Sequence, residues 1–71
     1  SPLFELNIYT NLDGDISISL RSREDKTLVK FWNFGSYDEP SYVNRAKSYY
    51  SKLVSKLLTN KIKLVKEIVI E

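Results

Sequence analysis

Two short runs of alternating side chains, joined by Asp13-Gly14, constrain this chain more than any other feature. From Leu3 to Thr10, Phe4, Leu6 and Ile8 fall on one face and Glu5, Asn7 and Tyr9 on the other; from Asp15 to Ser22, Ile16, Ile18 and Leu20 alternate with Ser17, Ser19 and Arg21. Successive side chains of a strand point to opposite sides of its sheet, so this period of two marks strands buried on one face. Directly opposed residues share a face, and a slip of one residue would turn an apolar set to water. The register that satisfies both runs sets Ile8 opposite Ile18 and Leu6 opposite Leu20. It leaves Leu12-Asp13-Gly14 as a three-residue loop whose last position calls for left-handed backbone, which glycine adopts without steric cost. Asn11, Asp13 and Asp15 have the spacing of a calcium loop, but that loop's glycine position and distal glutamate are missing, so the segment reads as the turn.

A charged turn, Arg23-Glu24-Asp25-Lys26, leads into Thr27 to Phe34, a third run rich in branched and aromatic residues. This run does not alternate. Val29 and Phe31 share one side, whereas Leu28, Trp32 and Phe34 share the other with Lys30 among them. Pairing Leu20 with Val29 and Ile18 with Phe31 gives a four-residue loop and keeps charge off the face to be covered. That register predicts an opposite face displaying Tyr9, Arg21, Lys30 and Trp32, with Phe34 beside them, and a strand broken at Gly35-Ser36.

Asp38-Glu39-Pro40-Ser41 reads as a helix start, combining acids favoured by the positive end of the helix dipole with a proline tolerated in the first turn. Tyr42, Val43, Ala46, Tyr49, Tyr50, Leu53, Val54, Leu57 and Leu58 then recur at helical spacing, a wide apolar stripe fit to cover a sheet, with the tyrosines as core whose hydroxyls reach water at the rim. Such a helix spans roughly 30 Å. Thr59-Asn60 marks its end, with asparagine standing in for the usual glycine. Ile62 to Ile70 has strand character again and is expected at a sheet edge, where Lys66 on its apolar side would discourage further pairing; helix continuing past Asn60 is the other reading.

These elements predict an α+β fold of order βββαβ: a three-stranded antiparallel sheet packed by one long amphipathic helix, with a C-terminal closing strand. The 71 residues suffice for one small domain, residues 1–71, which buries about 60% of the surface its unfolded chain exposes. It opens on Ser1-Pro2 and closes while still in strand, as a domain excised from a longer protein would. No apolar run approaches the roughly 20 residues that span a bilayer, and a soluble, intracellular setting is the expectation.

Cysteine and histidine are both absent. Their absence removes thiolate and imidazole chemistry, the usual zinc sites and any switch based on histidine titration, so neither catalysis nor a metal or other cofactor is expected. Asp38 with Glu39 is better explained as a helix start than as an acid and base pair.

Charge is segregated behind a net value of only +2. Residues 1–39 hold four basic and seven acidic side chains, whereas residues 40–66 hold seven basic ones and no acid. Arg45, Lys52 and Lys56, interleaved with Ser48 and Ser55, form a solvent-side stripe suited to a phosphate backbone, which lysine and arginine bind by displacing counterions. With Lys47, Lys61 and Lys63 they make up the expected phosphate-contacting set. Tyr9, Arg21, Lys30, Trp32 and Phe34 form the expected stacking or interface surface, since aromatic rings on a sheet stack unpaired bases.

Three strands followed by a helix, with Lys30-Phe31-Trp32 through Tyr50 as the relevant stretch, resembles small DNA-binding domains of the ethylene-response-factor type and the arm-binding domain of phage integrases. That resemblance implies DNA contact through the sheet, although the sheet faces here hold few cations and the strand after the helix departs from their pattern. Chromodomains and other protein-binding modules share the outline. The leading expectation is therefore a non-catalytic binding module for nucleic acid, DNA or RNA; the alternative is a protein-interaction or homodimerisation domain using the aromatic sheet face.

Overall fold

The computed structural model describes residues 2–70. Its elements are β1 (Leu3–Thr10), β2 (Asp15–Ser22), β3 (Leu28–Ser36), α1 (Pro40–Thr59) and β4 (Lys63–Ile68). The first hairpin has the register its alternation dictates, with Leu6 opposite Leu20 and Ile8 opposite Ile18. Its loop is closed by Asn11, whose backbone N–H donates to Asp15 O at 2.8 Å and whose Oδ1 accepts from the N–H groups of Asp13 and Asp15. Gly14 takes φ 81°, the left-handed conformation expected of it.

The third strand departs from expectation by one residue. The loop of Arg23 to Lys26 forms as read, since Ser22 N–H donates to Thr27 O and Arg21 stands opposite Leu28. The register then shifts between Arg21 and Leu20, so that Leu20 faces Lys30 rather than Val29, and Ile18 faces Trp32 rather than Phe31. Val29 is the extra residue of a bulge. The shift turns Trp32 and Phe34, with Lys30, to the helix-covered side and leaves Phe31 on the open side, 44% exposed. More aromatic surface is buried that way than by covering Val29 and Phe31, which is the physical reason for the shift. A second shift between Ser17 and Ile16 carries the strand through Gly35 and Ser36, where the sequence predicted a break.

α1 retraces β3: Tyr42 lies against Gly35, and Tyr49 against Phe34 and then Trp32. Having been carried back, the chain can only enter the sheet in the direction of β3, which is also that of β1. β4 accordingly pairs with β1 in parallel, Phe4 opposite Leu64 and Ile8 opposite Ile68. The order βββαβ is the expected one and β4 occupies a sheet edge; the sheet is four-stranded and mixed, in the order β3-β2-β1-β4, rather than purely antiparallel.

The helix ends differ in detail from their sequence signals. At the start Glu39 is the cap position, but its carboxylate accepts from the Ser41 hydroxyl and makes no capping bond to the backbone of the first turn. At the stop Asn60 has φ −84°, and Lys61 takes the left-handed position at φ 61°. Lys61 N–H donates to Leu58 O and Ile62 N–H to Leu57 O, the paired bonds that satisfy the last carbonyls of a helix. No helix among the described residues is long and apolar enough to cross a membrane.

Ala46 and Tyr50 of α1 seal the core over Leu6, Ile8, Ile16 and Ile18. The buried Tyr50 hydroxyl donates to the Leu6 carbonyl at 2.6 Å, tying the helix to β1. Replacing Tyr50 with phenylalanine leaves the Leu6 carbonyl without that partner, and urea denaturation should read a loss of about 1–3 kcal/mol. Burial raises the Tyr50 hydroxyl above its ordinary value of 10.0, against the smaller opposing effect of the Glu67 N–H. The folded chain therefore holds this proton more tightly than the unfolded one. Its contribution is complete below the unfolded value and is lost as pH rises through the folded one, and Tyr50→Phe should flatten that alkaline decline.

Candidate nucleic-acid interface

β3 and α1 together build a surface that neither holds alone. The Tyr49 ring centroid lies 5.7 Å from that of Trp32, edge to face, and 5.8 Å from that of Phe34. Lys30 Nζ stands 5.8 Å from the Trp32 centroid, a cation over an indole. Arg45, Lys52 and Lys56 are four residues before, three after and seven after Tyr49, and such spacing places them along the same side of the helix. The Arg45 guanidinium carbon sits 5.7 Å from the Tyr42 ring centroid. Since α1 retraces β3, the turns that follow Tyr49 bring Lys52 and Lys56 towards the Lys30 end. One flank of the molecule therefore runs from Lys30 through Trp32 and Tyr49 to the exposed cations of the helix.

This arrangement regroups the residues singled out from sequence. Lys30, Trp32 and Phe34 leave the sheet face assigned to them and join the basic helix stripe, whereas Tyr9 and Arg21 remain on the open face. The bulge at Val29 is the cause. Lys47 separates from the other helix cations, because about 100° per residue sets it roughly 200° from Arg45 and 180° from Lys56. Lys61 and Lys63 lie past the helix end, Lys63 opposite Leu3 at the other edge of the sheet. Tyr49 is the site residue that sequence reading assigned to the core. Its signal was its neighbours, since it occupies the margin of the apolar stripe between Arg45 and Lys52 and is 36% exposed.

Among the described residues the ion pairs are those of Glu5, with Arg23 at 3.5 Å and Lys26 at 3.1 Å, and no described carboxylate pairs with Lys30, Arg45, Lys52 or Lys56. The open face is different in character. Asn7 Nδ2 donates to Ser19 Oγ, Asn11 Nδ2 to Ser17 Oγ, and Arg21 to the Lys26 carbonyl, so that Arg21 serves the β2–β3 turn. In the same turn the Thr27 N–H holds the Asp25 carboxyl below its ordinary range, a local effect remote from the flank.

A cavity of about 630 Å³ opens where β1 and β4 end beside the start of α1. Ile16, Val43 and Ile70 give it an apolar wall, and none of its lining side chains is charged, so it offers no cation to a phosphate. Among the described residues no three of the side chains that ligate metals stand together. No family model, curated protein or solved structure matches this chain.

Proposed function

We propose that this domain is a non-catalytic module that binds single-stranded nucleic acid along the flank of β3 and α1. The observation that carries the reading is the continuity of Lys30, Trp32 and Tyr49 with Arg45, Lys52 and Lys56. Cations beside partly exposed rings suit a strand whose phosphates release counterions and whose unpaired bases stack. A duplex offers phosphates but no free base faces, which gives single strands the advantage. The exposed hydroxyls of Ser48 and Ser55 add donors for phosphate oxygens without reading sequence.

Titration of labelled single- and double-stranded oligonucleotides at two salt concentrations tests this reading. The double variant Lys52→Glu, Lys56→Glu should bind single strands more weakly and reduce the salt slope by about 2, roughly one for each phosphate contact. Tyr49→Ala should weaken single-strand binding by about 1–3 kcal/mol and leave residual duplex binding nearly unchanged. Absence of binding at low salt, or equal affinity of the charge-reversed variant, overturns the proposal. A protein contact through the open sheet face has support only at the β3 edge, where Leu28, Val29 and Phe31 are exposed.

A further inference from the structure

The two edges of the sheet are built differently. β4 carries Lys63, Lys66 and Glu67 within six residues, the charged kind of edge that resists pairing. β3 carries Lys30 as its sole charge in nine residues, has no proline, and exposes Leu28, Val29 and Phe31. Between its two bulges the stretch Lys30 to Asn33 is regular strand. An exposed regular edge with apolar side chains is a template for another strand.

We propose that β3 pairs antiparallel with β3 of a second copy of this chain, about a two-fold axis through Phe31, giving a continuous eight-stranded sheet. Charge and shape select that register. Centred on Phe31, the pairing sets the exposed Phe31 against its own counterpart and Lys30 opposite Trp32 of the second copy, extending the cation and indole contact already present within one chain. Centred on Lys30, it would oppose two lysines. A shift of one residue to an odd register would place the two helices on opposite faces and mismatch the sides of the strand.

With the axis at Phe31 both copies of α1 stand on the same side of the sheet. Each helix packs on β3 through Tyr42 and Tyr49, so the two helices flank the seam on one face of the joined sheet. The two flanks of Lys30, Trp32 and Tyr49 then face one another across the seam. The pairing itself rests on the edge alone and not on the nucleic-acid reading.

Sedimentation of the free protein from micromolar to near-millimolar concentration is the test, with circular dichroism to establish folding. The mass should rise from 8.3 kDa towards twice that value. Phe31→Lys and Phe31→Glu should each remain monomeric, and an equimolar mixture of the two should regain the dimer, because opposite charges then meet at the axis. As a second measurement, Phe31→Cys in a chain with no cysteine of its own should be linked by a short bis-maleimide far faster than Leu12→Cys at the exposed hairpin tip. A monomer at every concentration, a mixture that fails to dimerise, or equal linking at the two positions overturns the inference. A dimer that binds no oligonucleotide overturns the proposed function and leaves this pairing intact; a monomer that binds one does the reverse.

Discussion

Replacing Gly35 with alanine should lower the unfolding free energy by about 2–5 kcal/mol, the sum of about 1–2 for left-handed backbone and about 1–3 for overpacking. Gly35 has φ 98°, and a methyl built on it would lie 2.8 Å from both Cδ2 and Cε2 of the Tyr42 ring. That ring cannot easily yield. It sits in the first turn of α1, packs against the core and has Arg45 above it. A domain of this size has about 4–11 kcal/mol in total, so the variant should melt far earlier or fail to fold. Gly14→Ala is the matched control: φ is 81° there but nothing lies within 4 Å, and the loss should stop at about 1–2 kcal/mol. Urea denaturation followed by circular dichroism measures both. Repeating Gly35→Ala in a Tyr42→Ala background separates the two terms, since a loss as large as in the parent would assign the whole effect to backbone strain.

What sequence could and could not reveal follows from the range of each signal. The β1–β2 hairpin was readable in full because alternation and turn chemistry are local and agree: Ile8 opposite Ile18 and a left-handed Gly14 each imply the other. The helix was readable because its apolar stripe repeats over five turns. β3 was not, because Thr27 to Phe34 is apolar on both sides and alternation cannot say which set is covered. The four-residue loop was right, yet a bulge at Val29 reversed the faces of Lys30 to Phe34, and nothing local to Val29 announces a bulge. The choice was made by Tyr49, more than a dozen residues away, which offers aromatic contact to Trp32 and Phe34. The parallel entry of β4 was equally non-local, being a consequence of α1 carrying the chain back along β3. For the candidate site, the charge block in residues 40–66 was plain in the sequence, but its union with the aromatic residues depended on the bulge and stayed hidden.

That bulge sets the second large expected effect, a contrast between adjacent residues. Trp32→Ala should destabilise the dilute monomer by about 2–4 kcal/mol, somewhat less than a fully buried tryptophan because its ring is partly exposed, whereas Phe31→Ala should lose only about 1 kcal/mol. Trp32 stands opposite Ile18 beneath the helix, where its removal opens a void beside Tyr49 and Phe34; Phe31 stands opposite the buried Ser19 on the face away from α1 and is itself 44% exposed. Without the bulge the order would be reversed, since Phe31 would then lie beneath α1 and Trp32 in water. Urea denaturation read by circular dichroism at low protein concentration decides between the two, because neither readout nor ranking depends on the tryptophan being present. The consequence reaches past stability. A larger loss at Phe31 would return Lys30 and Trp32 to the open face, separate them from Arg45, Lys52 and Lys56, and dismantle the flank on which the proposed function stands, whereas a larger loss at Trp32 ties folding and the binding surface to the same contact between β3 and α1.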